Sequence, residues 1–121
     1  MEYINYVIIG ILIYIIGSRF MPANGIRNIS TLELKSELKD KNKLFIDVRT
    51  PGEYKRTHIK EFKNIPLNLL AQKAEKELPK DKEIIVICQS GMRSVQASKI
   101  LKKFGYTKVT NVKGGMNAWS L

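Results

Sequence analysis

The chain has 121 residues, room for one domain and little else, and its single cysteine excludes an internal disulfide framework. A formal net charge of +10 comes from lysines scattered along the sequence, with no dense basic run interleaved with aromatics, which argues against a nucleic-acid partner. A lone free thiol also fits a reducing compartment.

From Tyr3 to Ser18 no residue is charged, and Val7 to Ile16 is interrupted only by Gly10 and Tyr14. Residues 1–21 therefore read as one transmembrane helix. The run is slightly shorter than the ~20 apolar residues a bilayer asks for; Phe20 and Met21 extend it if the Arg19 side chain snorkels. Tyr3, Tyr6 and Phe20 would then lie toward the two interfaces. A cleaved signal peptide would want a basic start and a small-x-small site, whereas this chain opens Met-Glu and has no Ala-x-Ala element. A buried soluble element would rarely be so long and so free of polar residues. Arg19, Arg27 and the lysines follow the segment and only Glu2 precedes it. The expected topology is single-pass in the cell membrane, N-terminus outside and catalytic domain cytoplasmic. A basic surface held there would be attracted to anionic headgroups.

Pro22, Asn24, Gly25 and Asn28 make residues 22–28 a turn-rich linker, and the domain occupies residues 29–121. Ser30 with Glu33 forms a capping box ahead of a short helix carrying Leu32, Leu34 and Leu38. Leu44 to Val48 is a compact apolar run with one acid, a buried strand, and Pro51 opens a short helix to about Lys55. Leu69 to Leu78 has helical spacing and stops at Pro79. Ile84 to Ile87 is a second buried strand, Ser94 to Phe104 an amphipathic helix capped by Gly105, and Val109 to Val112 a third strand before Gly114-Gly115 and a terminal turn with Trp119. Met116 and Trp119 read as core packing. Strands alternating with helices imply an α/β fold, a parallel sheet with helices on both faces.

Cys88 sits where the strand ending at Ile87 gives way to the loop Cys88-Gln89-Ser90-Gly91-Met92-Arg93. A lone cysteine at a strand end is often only a small buried hydrophobe. Here its neighbours are polar, turn-forming and basic, and a thiol at a helix N-terminus meets unpaired N–H groups and the positive end of the helix dipole, which favour a nucleophilic thiolate. The site lies beyond the carboxyl ends of the strands, where open α/β sheets bind ligands. A loop curling around the Cys88 sulfur turns its successive amides inward as an anion nest, with Gly91 supplying backbone freedom and Arg93 a planar donor fork for an anion. Cysteine phosphatases need C-x5-R. Here the spacing from Cys88 to Arg93 is C-x4-R and Ser94 stands where a phosphatase has Arg, so the smaller loop suits one extra sulfur atom better than a phosphoryl group.

The chain resembles the single-domain rhodaneses, a sulfurtransferase family. The likeness runs from about Ile29 to Trp119 and rests on Ile46-Asp47-Val48-Arg49 with Thr50-Pro51 and Glu53-Tyr54, on His58-Ile59, on Asn64-Ile65-Pro66-Leu67, on the Cys88 loop, on Gly105-Tyr106, and on Val112-Lys113-Gly114-Gly115-Met116 with Ala118-Trp119. The resemblance implies a rhodanese-like three-layer domain with a five-stranded parallel sheet and an active loop from Cys88 to Arg93. It implies that Cys88 takes sulfane sulfur from thiosulfate or a persulfide, holds it on the amides of Gln89 to Arg93, and passes it to cyanide or a thiol, with no cofactor and no metal. Arg93 would orient an anionic donor. Asp47 and Arg49 would fix the loop, with Ser94 supporting it, and His58 would be structural rather than a base. Thr57 stands where the family usually has Gly before the His, and Ile87 where an aromatic residue is common. With no second cysteine, the sulfur must leave to an external acceptor. The competing readings are a cysteine phosphatase or arsenate reductase of related fold, and a non-catalytic rhodanese-like module that binds a partner or a lipid surface.

Overall fold

The computed structural model describes residues 2–20 and 25–119, and the side chains of 3–16 and 25–119. In chain order the elements are α1 (Glu2–Phe20), β1 (Ile26–Ile29), α2 (Thr31–Glu37), β2 (Lys43–Asp47), α3 (Pro51–Arg56), β3 (Lys63–Asn64), α4 (Leu67–Glu77), β4 (Glu83–Ile87), α5 (Met92–Lys103), β5 (Val109–Val112) and α6 (Gly115–Ala118). The five strands form one parallel sheet in the order β1-β5-β4-β2-β3.

Local chemistry explains where the helices start and stop. Ser30 caps α2 and Thr50 caps α3, each in a reciprocal box with the glutamate three residues on, Glu33 and Glu53. Pro51 occupies the first turn of α3, where its missing N–H costs nothing. Gly105, at φ 96°, ends α5 in the left-handed region.

The sheet separates two layers of core. Side chains alternate along a strand, so Ile84 and Val86 of the central β4 pack with Ile46, Leu70, Ala74, Ala97, Leu101 and Tyr106 under α4 and α5. Ile85 and Ile87 point the other way, onto Phe45, Leu34, Ile59, Phe62 and Met116. The Tyr106 hydroxyl lies 2.7 and 2.8 Å from the carbonyls of Ala74 and Leu78, which satisfies it in the interior. The pairing of Asp47 with Ile87 ends β2 and β4 at the same level. The chain after each, Val48-Arg49 and Cys88-Gln89, therefore emerges side by side at the carboxyl edge.

Several boundaries differ from the sequence reading, among them α4, which begins at Leu67 rather than Leu69, and β2, which is shifted by one residue to Lys43–Asp47. The sheet already claims Ile26–Ile29, whose first three residues fall in the stretch read as a linker; only Ile29 of that edge strand is buried, so no alternation marks it. β3 has two residues, too few to show any period. α5 begins at Met92 rather than Ser94, because Gly91 at φ 104° turns the chain directly into the helix.

In α1 the side chains from Tyr3 to Ile16 are exposed at every position and, Asn5 apart, apolar or aromatic on all sides of the helix. Among the described residues no helix is long and apolar enough to cross a membrane. The transmembrane span expected over residues 1–21 is thus not found among the described residues. Met21, Pro22 and Asn24, together with the side chains of Arg19 and Phe20, lie outside them.

Candidate active site

Cys88 follows directly on β4 and is wholly buried. The Gly91 amide donates to its Sγ at 2.9 Å. The thiol itself donates to Ser94 Oγ at 3.3 Å, and the Ser94 hydroxyl donates in turn to the Gly91 carbonyl at 3.1 Å. Ser94 is buried in the first turns of α5. A hydroxyl can rotate, so loss of the thiol proton leaves Ser94 free to donate to sulfur instead. Gly91 holds a φ that side-chain-bearing residues rarely adopt, and this brings its N–H onto the sulfur. Gln89 is half-buried, Ser90 is exposed, and the Met92 side chain projects into solvent.

Two sets of tethers fix this loop. On the β2 side, Arg49 Nε and Nη2 donate to the buried Asp47 carboxylate at 2.8–3.0 Å, Nη2 also to the Thr57 carbonyl at 2.6 Å, and Nη1 to Gln89 Oε1 at 3.1 Å. The Asp47–Arg49 pair is thus a neutralised buried unit that reaches into the loop beside Cys88. Asn64 holds the same turn, donating to the carbonyls of Asp47 and Arg49. On the α6 side, the amides of Met116 and Asn117 donate to the carbonyls of Cys88 and Gln89, and Gln89 Nε2 donates to Asn117 Oδ1 at 2.6 Å. α6 approaches so closely that a Cβ on Gly115 would lie 2.2 Å from the Cys88 carbonyl oxygen.

Arg93, expected in the loop as a fork for an anionic donor, lies instead in the first turn of α5 and is already engaged. Its Nη1 and Nη2 donate to the two oxygens of Glu53 at 2.6 and 2.9 Å. Bonding to Arg93, opposed by partial burial and assisted by Thr50, lowers the Glu53 carboxyl from the usual 4.5 to about 2. Glu53 in turn raises the affinity of Arg93 for its proton, against some desolvation and with help from Cys88 and Asp47. The pair joins α3 to α5 across the site.

A cavity of about 440 Å³ opens here, lined by Arg49, Glu53, Arg56, Thr57, Gln89 and Met116. His58 Nδ1 lies 2.8 Å from the Tyr54 carbonyl and its ring stacks on Tyr54, centroids 3.9 Å apart. Thr57, at φ −159°, has ordinary extended backbone, so no glycine is needed there. Sequence reasoning left Glu53, Arg56, Gly115 and Asn117 without a part in the site. Glu53 had a visible signal, the Thr50-x-x-Glu53 capping box; Gly115 and Asn117 act through contacts with the distant active loop, and Arg56 enters only as part of the cavity wall.

Residues 30–121 match the family model for the rhodanese-like domain. A protein of Allochromatium vinosum named a sulfurtransferase is 34% identical over 96 residues, 78% of this chain and 89% of that one. The solved structure of a rhodanese-like domain protein from Staphylococcus aureus superposes with a TM-score of 0.71 at 32% identity, covering 78% of this chain and 91% of that one. The reduced CoADR-RHD of Bacillus anthracis is 38% identical with a TM-score of 0.70, over 77% of this chain and 16% of that longer chain. Fold, loop and sequence agree, and the chain belongs to the rhodanese-like domain family.

Proposed function

We propose that this chain is a sulfurtransferase that carries one sulfane sulfur at a time on Cys88. The observation that supports it most is the sulfur's setting: one amide donor, one rotatable hydroxyl and the start of a helix converge on a thiol with no second cysteine in the chain. The Cys88 thiolate attacks the outer sulfur of a donor, R–S–SH. A Cys88 S–S bond forms, the donor S–S bond breaks, and R–S⁻ leaves with the electron pair. With thiosulfate the leaving group is sulfite. The new persulfide loses its proton, and amides from Gln89 to Arg93 hold the charge on the outer sulfur. Cyanide or a thiolate then takes that sulfur, and the Cys88 thiolate returns. Asp47 and Arg49 act as positioning residues through Gln89, and Ser94 through its hydroxyl.

The direct test is intact-mass measurement after incubation with thiosulfate or an organic persulfide, followed by cyanide. Wild type gains one sulfur atom, loses it to cyanide and releases thiocyanate, and Cys88→Ser does neither. Thiocyanate formed by Cys88→Ser at the parent rate overturns the reading, as does hydrolysis of a phosphate ester in place of sulfur loading. A wild-type chain that never gains sulfur points to a non-catalytic binding module.

The proposal includes location. Residues 1–21 hold the domain at the cell membrane, N-terminus outside and domain in the cytoplasm. This rests on the length of the uncharged run, on positive charge following it, and on an exposed helix with no polar stripe, a pattern that otherwise belongs in a buried core.

A further inference from the structure

The positive charges around the active loop are not equally available. Asp47 compensates Arg49, and Glu53 holds both terminal nitrogens of Arg93. The third arginine of the site, Arg56, ends α3 on the wall of the cavity, exposed, and its guanidinium has no hydrogen-bond or ion-pair partner among the described residues. Glu53, three residues before it, is committed to Arg93. The cavity therefore carries one uncompensated cation, and it shares that cavity with Gln89, the residue next to Cys88. Its volume of about 440 Å³ lies in the range of small-molecule sites, and an anion of thiosulfate's size fills only a fraction of it. A donor with charge on the atom bonded to its reacting sulfur meets arginines that already have carboxylate partners. One whose charge is set back by a few carbon atoms can place that charge on Arg56 and its sulfur on the Gln89 side of the cavity, beside the loop that carries Cys88.

We infer that Arg56 selects the sulfur donor: its planar fork binds the carboxylate of a small organic persulfide seated in the cavity. This inference rests on the sulfurtransferase reading of Cys88. The fork matches a carboxylate's two oxygens, and the contact is a charge-assisted hydrogen bond at a partly open site. The bond changes at sulfur are those already described, with the carboxylate-bearing thiolate as leaving group; Arg56 takes no part in them.

The test uses the full chain and two donors of similar size, the persulfides of 3-mercaptopropionate, which carries a carboxylate, and of 2-mercaptoethanol, which is neutral. Thiocyanate formation gives kcat/KM for each after subtraction of the uncatalysed rate. Wild type favours the charged donor. In Arg56→Ala that preference falls about tenfold, in Arg56→Glu it inverts, and in Arg56→Lys part of it survives. A preference unchanged in Arg56→Ala and Arg56→Glu overturns the inference while leaving sulfur transfer standing. If wild type transfers sulfur from neither donor, the sulfurtransferase reading is what fails, and equilibrium binding of the two parent thiols by NMR titration decides the site. Tighter binding of 3-mercaptopropionate, lost in Arg56→Ala, then upholds it, and equal binding of the two thiols by wild type overturns it.

Discussion

Glu53 serves two elements with one carboxylate. Its Oε1 accepts from the Thr50 amide at 3.1 Å, from the Thr50 hydroxyl at 3.0 Å and from Arg93, while Oε2 accepts from Arg93 alone. Because the folded chain lowers the Glu53 carboxyl from the usual 4.5 to about 2, the folded form favours the charged state. Its contribution to stability is fully present above pH 4.5 and is lost as the pH falls through about 2. Glu53→Gln should cost roughly 1–2 kcal/mol at neutral pH, allowing for solvent screening of a half-buried pair. Urea denaturation at a series of pH values should show the two proteins converging toward pH 2, the wild type losing its advantage. The same substitution frees the fork of Arg93, and the KM for thiosulfate should fall severalfold.

Among the elements, the junction of α6 with the active loop has the least tolerance. Gly115 has φ 57°, and a Cβ there would meet the Cys88 carbonyl oxygen at 2.2 Å and backbone carbons of Cys88 and Gln89 at 2.9 Å. These are backbone atoms and cannot swing aside, so Gly115→Ala must push the loop or α6 away. We expect a loss of about 1–3 kcal/mol in thermal or urea denaturation, with sulfur transfer reduced at least tenfold as the Gly91 amide leaves Sγ. The sequence shows the glycine pair but not this contact, because nothing local marks which distant backbone it faces. Where the determinants are local they are readable: the capping boxes at Ser30 and Thr50, the apolar runs of β2 and β4, and the position of Cys88 between β4 and α5. The edge strands β1 and β3 are not, since pairing with β5 and β2 defines them rather than any pattern of buried residues. The Arg93–Glu53 pair spans 40 residues, and the spacing from Cys88 to Arg93 gives no hint that the fork is filled from α3.

At the scale of the molecule, a basic domain follows a helix whose described side chains are, Asn5 apart, apolar or aromatic and all solvent-exposed. An exposed apolar surface of that extent is unstable in water and is expected to be covered. If residues 1–21 insert in the bilayer, the full chain should sediment with membranes, resist washing with high salt or alkaline carbonate, and be released only by detergent. Release by salt alone would mean that lysines on anionic headgroups hold the protein and that the helix does not insert. Recovery in the soluble fraction without detergent would overturn the anchored topology.

The division of the site between two stretches of chain has an evolutionary consequence. In the proposed reaction, sulfur is handled by one short run at the β4–α5 turn while the proposed donor cavity is walled mainly from the segments after β2 and in α3, and the two touch through Arg93–Glu53 and Arg49–Gln89. Substitutions around Arg56 can change which molecules are accepted without disturbing the atoms that hold the sulfur. A duplicated copy could acquire a new supplier of sulfur by drift at the rim alone, keeping its reaction throughout.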